Sequence, residues 1–176
     1  MKKRRLFTIV APSGAGKSTL VQAAAKAFPD QLAVVRSVTT RKRRDPEDDL
    51  HYRFVSVSDM LSLKESGKLL QYLKYAGNHY GVVKIDIDRL LATKHGILAL
   101  VEDGVSQYRD AGYDPVVIRV KTIGQPLFPD KKRQLADVAR ARIDINEDAT
   151  INNSFKDVDG LKRAVGELIN VLKEYV

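Results

Sequence analysis

Ala11-Pro12-Ser13-Gly14-Ala15-Gly16-Lys17-Ser18-Thr19 decides the fold. The apolar run Leu6 to Val10 feeds this small glycine turn, which opens into Leu20-Val21-Gln22-Ala23-Ala24-Ala25-Lys26, a strong helix-forming stretch. Strand, glycine loop and helix in that order build a cradle for an anion. Backbone N–H groups can close on phosphate oxygens only where side chains leave room, and Gly14 and Gly16 supply both the room and the unusual dihedrals. The helix N-terminus adds unpaired N–H groups and the positive end of a dipole. Ser13, Gly14, Ala15, Gly16, Lys17, Ser18 and Thr19 are therefore expected to hold a nucleotide's phosphates. Lys17 would neutralise the β- and γ-phosphates, and the Ser18 hydroxyl would sit on Mg²⁺. Ala11 stands where the first glycine of this motif usually is, the mildest replacement for it. The competing reading is an ordinary Gly/Ser turn ahead of an amphipathic helix.

Working outward, period and punctuation give an alternating α/β chain. Strands are expected at Leu6 to Val10, Leu32 to Val35, Tyr52 to Val55, Leu69 to Tyr75, Tyr80 to Val83, Gly96 to Val101 and Val116 to Val120. Helices are expected at Ser18 to Phe28, at Asp59 to Ser66 with Ser58 as N-cap, at Asp86 to Thr93, Gln107 to Ala111 and Asp130 to Arg142. After an Asn152-Asn153 turn, Leu161, Val165, Leu168, Ile169 and Leu172 form one apolar stripe of a final helix. Arg36 to Leu50 reads as polar and irregular, and Lys121 to Pro129 as a loop. Short buried strands alternating with helices imply a parallel sheet covered on both faces, an α/β fold of the P-loop NTPase type. Ligands gather at the carboxyl ends of such strands. The chain reads as one domain, residues 1–176, with a core of 1–36 and 83–176 interrupted by a strand-rich insert, 37–82.

Composition narrows the classes of function. No apolar run approaches a membrane span, so no membrane partner is expected. The basic start Met1-Lys2-Lys3-Arg4-Arg5 is followed by only about five apolar residues before Pro12, too few for the core of a signal peptide. The absence of cysteine removes disulfides, thiolate metal sites and cysteine nucleophiles, and suits a cytoplasmic location. Thirty Lys and Arg against 22 Asp and Glu give +8, which favours anionic partners. No nucleic-acid recognition motif accompanies that charge, so nucleic acid is not expected. His51, His79 and His95 are scattered without metal-ligand spacing, and none is assigned a role.

Ser37-Val38-Thr39-Thr40-Arg41-Lys42-Arg43-Arg44-Asp45-Pro46-Glu47, followed by Tyr52-Arg53-Phe54-Val55-Ser56, resembles the guanylate kinase family. Gly77-Asn78-His79-Tyr80-Gly81 is similar to that family's Gly-Asn-x-Tyr-Gly turn. With the glycine loop, the likeness is strong over roughly the first half of the chain and thins to secondary-structure order after Asp103. It implies ATP and Mg²⁺ as cofactors and a nucleoside monophosphate as acceptor, GMP by default, in a monomer or homodimer. The insert 37–82 would hold the acceptor, and a shortened lid would span about 121–132. Moving a phosphoryl group between two phosphate-bearing molecules requires cations and fixed donors against their repulsion. Arg41 and Arg44, steadied by Glu47, suit bidentate capture of the acceptor phosphate. By the resemblance, Tyr52 and Tyr80 add hydroxyls and Ser37 lines the same site. The bland reading makes Arg41 to Arg44 a solvated loop and the tyrosines core.

Departures from the family pattern fall on the base-reading side. Gln71 stands where a glutamate usually accepts hydrogen bonds from guanine; its amide oxygen accepts, but it carries no charge and adds a donor. Val82 stands where a serine or threonine usually contacts the base. Ala99 and Val101 replace carboxylates, for which Glu102 or Asp103 would have to compensate. Loss of a buried hydrogen-bond partner costs about 1–3 kcal/mol, enough to redirect base choice without abolishing phosphate binding. The lid segment carries almost no basic charge, which leaves Arg133 and Arg140 as candidates for transition-state charge or, equally, for surface residues. Two alternatives stand beside the GMP reading: a kinase for a non-guanine phosphorylated acceptor, and a non-catalytic binding module of the same fold.

Overall fold

Alternation within β1 (Leu6–Val10) divides the interior into two layers. Phe7 and Ile9 face one side, against Leu20, Val21 and Ala24 of α1 (Lys17–Ala27) and Ala164, Leu168 and Leu172 of α5 (Gly160–Lys173). Leu6 and Val10 face the other, against Ile87 of α3 (Lys84–Leu91) and Val105 and Tyr108 of α4 (Glu102–Asp110). These relations come from a computed structural model that describes residues 4–12, 14–75, 77–124, 138, 140–154 and 159–176. The strands β2 (Leu32–Val34), β7 (His95–Leu100), β8 (Val116–Ile123) and β9 (Ala149–Ser154) complete a parallel sheet in the order β2-β7-β1-β8-β9. Each large apolar side chain buried there contributes about 1.5–3 kcal/mol, so the two layers hold the helices in place more than their intrinsic propensity does. Among the described residues, no helix is long and apolar enough to cross a membrane.

A second sheet, β4-β3-β6-β5, is built from β3 (Ser37–Thr39), β4 (Tyr52–Phe54), β5 (Leu69–Tyr75) and β6 (Asn78–Val83). β3 pairs with β4 in parallel and with β6 antiparallel. Val38, Met60 and Val83 form its own small core, beneath α2 (Val57–Glu65).

Several expectations change in detail. The cap of α2 is Ser56, not Ser58: the Ser56 hydroxyl accepts from the Asp59 N–H at 3.0 Å, and Asp59 reaches back to the Ser56 N–H, a reciprocal capping box. Ser37 to Thr39, read as irregular, is a strand; three residues carry too little alternation to announce themselves, and pairing with β4 and β6 supplies the rest. Asn152 and Asn153, read as a turn, lie inside β9, where six residues pair with β8 and override the low strand propensity of asparagine. β8 also absorbs Lys121 to Ile123 from the expected loop. Helix α4 starts at Glu102, well before Gln107. Of the expected helix Asp130 to Arg142, 130–137 and 139 lie outside the described residues, as does 125–132 of the proposed lid.

The join between β9 and α5 yields a stability prediction. A Cβ on Gly160 would stand 1.8 Å from the carbonyl oxygen of Ser154 and 2.8 Å from its carbon, both backbone atoms that cannot swing aside. Gly160→Ala should therefore destabilise the fold by about 1–3 kcal/mol or more. Thermal unfolding should show a midpoint lower by several degrees, and an unchanged midpoint would contradict this packing.

Candidate active site

The glycine loop leaves β1 and turns into α1 through Gly14 and Gly16, whose φ angles of 79° and 81° lie in the left-handed region. A side chain on Gly16 would also press on Leu161 and Asn153, at 3.1 and 3.4 Å. Ala11, the departure from the motif, is buried in the α1 layer, so its methyl fills core space and does not close the loop. The Lys17 ammonium donates to the carbonyl oxygens of Ala11 (2.6 Å) and Pro12 (2.7 Å), which folds it back along the loop. From β9, the Asn153 amide donates to the Ala15 carbonyl at 3.0 Å, while its own Oδ1 is buried with no partner among the described residues. Asn153 thus braces the loop from behind. Ser18 and Thr19 are exposed at the start of α1. Mg²⁺ takes few protein oxygens and completes its shell with phosphates and water, so a single exposed Ser18 hydroxyl beside the lysine suits it. Ser13 lies outside the described residues.

The second cradle forms around Arg41, which is only 8 % exposed. Its guanidinium binds Asp48 through two hydrogen bonds, Nη1 to Oδ2 at 2.9 Å and Nη2 to Oδ1 at 2.6 Å. It lies over the rings of Tyr52 and Phe54, 4.6 and 5.6 Å from their centroids. Asp48 also accepts from the Arg44 N–H at 2.8 Å. The carboxylate that steadies the arginines is therefore Asp48, while Glu47 stands exposed on the cleft wall. The reason is local: Asp45 caps a 3-10 turn, Pro46–Leu50, by accepting from the Asp48 N–H, and the turn carries Asp48 inward. The hydrogen bond from Arg41 holds the Asp48 carboxyl down at about 2, and Asp48 in turn raises Arg41 above its ordinary value. Burial raises the Tyr52 hydroxyl, with Arg41 opposing it, and burial lowers His51.

One cleft of about 430 Å³ joins the two cradles. Lys17, Ser18 and Thr19 line one side; Ser37, Arg41, Arg44, Glu47, Tyr52 and Tyr80 line the other; Gln71, Ala99, Leu100 and Val101 line the stretch contributed by the two sheets. Tyr52 and Tyr80 meet edge to face at 6.3 Å because both strands pair with β3. Val82 does not join them: its side chain is buried in the layer of Leu6 and Val10. Glu102 and Asp103 do not line the cleft either. Glu102 is buried 3.7 Å from Arg119, and Asp103 accepts from the Arg140 Nε at 3.0 Å. Arg140 is neither a surface residue nor a lining one; it packs over Tyr75, 5.2 Å from the ring centroid. Arg133 lies outside the described residues. Asp48, His51 and Tyr75 line the cleft without having been singled out from sequence. For Asp48 the one available signal was a run of acidic residues after the arginines, which does not say which of them turns inward.

A parallel sheet with strand, glycine loop and helix at its centre, and a mixed sheet closing a cleft over the strand ends, defines a P-loop α/β protein. The family model "Guanylate kinase" matches residues 3–158, and the chain belongs to the guanylate kinase family. A guanylate kinase of Chlamydia felis is 38% identical over 107 residues, 60% of this chain and 52% of its own length. One of Jannaschia sp. is 31% identical over 150 residues, 84% of this chain and 68% of its own. The chain spans about half the length of several of the curated relatives it matches. The crystal structure of guanylate kinase from Anaplasma phagocytophilum shares the fold with a TM-score of 0.64 at 18% identity, covering 99% of this chain and 87% of that one.

Proposed function

We propose that this chain catalyses ATP-dependent phosphoryl transfer to a nucleoside monophosphate, with GMP the default acceptor and ADP and GDP the products. The observation that carries this is a cleft shared by Lys17 and Ser18 on one side and Arg41, Tyr52 and Tyr80 on the other. Catalysis of this transfer is positioning and electrostatics, and it needs no general base of unusual basicity. Lys17 would hold the donor's β- and γ-phosphates, and the loop amides from Gly14 to Thr19 would surround them. Arg41 has five N–H donors, of which the Asp48 pair and the Lys42 carbonyl use three, leaving donors for the acceptor phosphate. Arg44, Ser37, Tyr52 and Tyr80 would complete that grip. Mg²⁺, held by the Ser18 hydroxyl and the donor phosphates, would neutralise charge that builds up on transfer. Arg140 would have to leave Asp103 to reach the moving group, and Arg133 is the other candidate for that role. The non-catalytic alternative has no use for a complete Gly16-Lys17-Ser18 loop. A cytoplasmic location fits a chain that carries no cysteine.

The test is a coupled ADP-release assay with ATP and Mg²⁺ across GMP, dGMP, AMP, UMP, CMP and ribose bisphosphate. Acceptor-dependent ADP release with at least one purine monophosphate is the expected result. ATP binding with no acceptor able to stimulate ADP release would transfer the case to a binding module.

A further inference from the structure

Gln71 is 7 % exposed and lines the cleft, and its carboxamide meets α4 at both ends, by a hydrogen bond at the oxygen and by packing at the nitrogen. The hydroxyl of Tyr108 donates to Gln71 Oε1 at 3.3 Å. The amide nitrogen lies against the first turn of α4 at Gly104, so closely that a Cβ there would stand 2.3 Å from Nε2. Only a glycine at 104 lets the amide reach this position. Nε2 has no protein partner among the described residues. Tyr108 is fully buried, and burial pushes its hydroxyl above its ordinary value, so it stays a neutral donor.

A carboxamide offers one acceptor beside one donor. That pair is complementary to the lactam edge of a 6-oxopurine, in which N1–H donates and O6 accepts. A carboxylate, with acceptors only, would instead suit the two neighbouring donors N1–H and N2–H of guanine. Here one lone pair of Oε1 is already taken by Tyr108, leaving a single acceptor site. On the wall beside it, Ala99, Leu100 and Val101 have apolar side chains, and the lining carboxylates Asp45, Glu47 and Asp48 belong to the arginine side, with Asp48 bound to Arg41. Adenine presents the reverse edge, an acceptor at N1 beside a donor at N6, and would require the amide to flip. A flipped amide would turn Nε2 toward Tyr108, whose own hydroxyl proton would then lose its acceptor in an apolar layer.

We propose that Gln71, held in one orientation by Tyr108, reads the N1–H and O6 edge of the acceptor base, so that the site accepts 6-oxopurine monophosphates as a class, taking GMP and IMP nearly alike and disfavouring AMP. Gln71 is the specificity-determining residue; Tyr108 and Gly104 are positioning residues that act through it. The inference rests on the cleft being a nucleoside monophosphate site and extends that reading to the base.

The experiment measures kcat/KM and, separately, equilibrium binding by calorimetry for GMP, IMP and AMP with the full chain and with Gln71→Glu and Tyr108→Phe. Wild type should treat GMP and IMP within about threefold and take AMP about tenfold less well, the scale of one lost buried hydrogen bond. Gln71→Glu should favour GMP over IMP by about tenfold, because a second acceptor meets the 2-amino group. Tyr108→Phe should raise AMP relative to IMP, a change of ratio that general loosening of the fold would not produce. A wild-type preference for GMP over IMP of tenfold or more, or a Tyr108→Phe ratio that stays at the wild-type value, would overturn the proposal. Binding that shows the expected ratios without turnover would uphold this inference and remove the kinase reading. GMP turnover that excludes IMP would do the reverse, and no binding of any nucleotide would remove both.

Discussion

In Lys17→Ala, acceptor-dependent ADP release should fall about a thousandfold, while the thermal unfolding midpoint should move by only a few degrees. The size of the first effect follows from the position of the charge. Removing one preorganised donor from a transition-state cradle costs about 10²–10³ in rate, and in the proposed role Lys17 would contribute a full positive charge as well as N–H donors. The smallness of the second follows from what the ammonium touches. Its bonds to the Ala11 and Pro12 carbonyls run to a partly buried loop at the edge of the cleft, where water can take over once the side chain is gone. Bonds to a charged group contribute about 1.5–3 kcal/mol where water is excluded, and at this water-accessible edge solvation of the freed carbonyls leaves about 0.5–1.5 kcal/mol each; for a chain of this size 1 kcal/mol corresponds to about 2–4 °C. The loop itself is held by other means, by the buried methyl of Ala11 and by Asn153 beneath Ala15. Residual activity within tenfold of wild type would mean that the phosphates lie elsewhere.

The readable parts of the sequence were those whose signal is local. β1, the glycine loop and α1 carry their pattern within a few residues of one another, and their placement in the structure agrees to a residue or so. The stripe of α5 is equally legible, because burial of Leu168 and Leu172 imposes a helical period. What escaped depends on partners far along the chain. Nothing near Asn153 says that it will sit in a strand under the glycine loop; that follows from pairing with β8 and from the Ala15 carbonyl, 138 residues away. Glu102 looked like a cleft carboxylate by position but is drawn to Arg119, and Asp103 to Arg140. Val82 shows the same limit: β6 reaches the cleft through Tyr80, while its next apolar residues serve the core. In the second cradle, the residue types were legible and the pairing was not, since choosing Asp48 over Glu47 depends on the 3-10 turn that Asp45 caps.

Arg41 and Asp48 should therefore fail in different ways when removed. On the proposed function, Arg41→Ala would take charged hydrogen bonds from the acceptor phosphate, and charged bonds are worth about 1.5–3 kcal/mol each, so the acceptor KM should rise about ten- to a hundredfold. Asp48→Ala leaves the guanidinium, itself 8 % exposed, without its partner. Breaking a fully buried pair in this way costs about 3–5 kcal/mol, and the partial exposure of Asp48 places this one lower, at about 2–3 kcal/mol. Calorimetry should find Asp48→Ala less stable than the double variant Arg41→Ala/Asp48→Ala, because the second change removes the orphaned charge. Acid should expose the same pair. Asp48 is held at about 2, below its ordinary value of 3.8, so its contribution is complete above about pH 4 and is lost as pH falls toward 2. Asp48→Asn should remove that part of the acid dependence. If instead the single and double variants unfold together and the acid limb is unchanged, the hydrogen bonds between Arg41 and Asp48 do not hold the acceptor side in shape, and the arginine must be oriented by the Lys42 carbonyl and the Tyr52 and Phe54 rings.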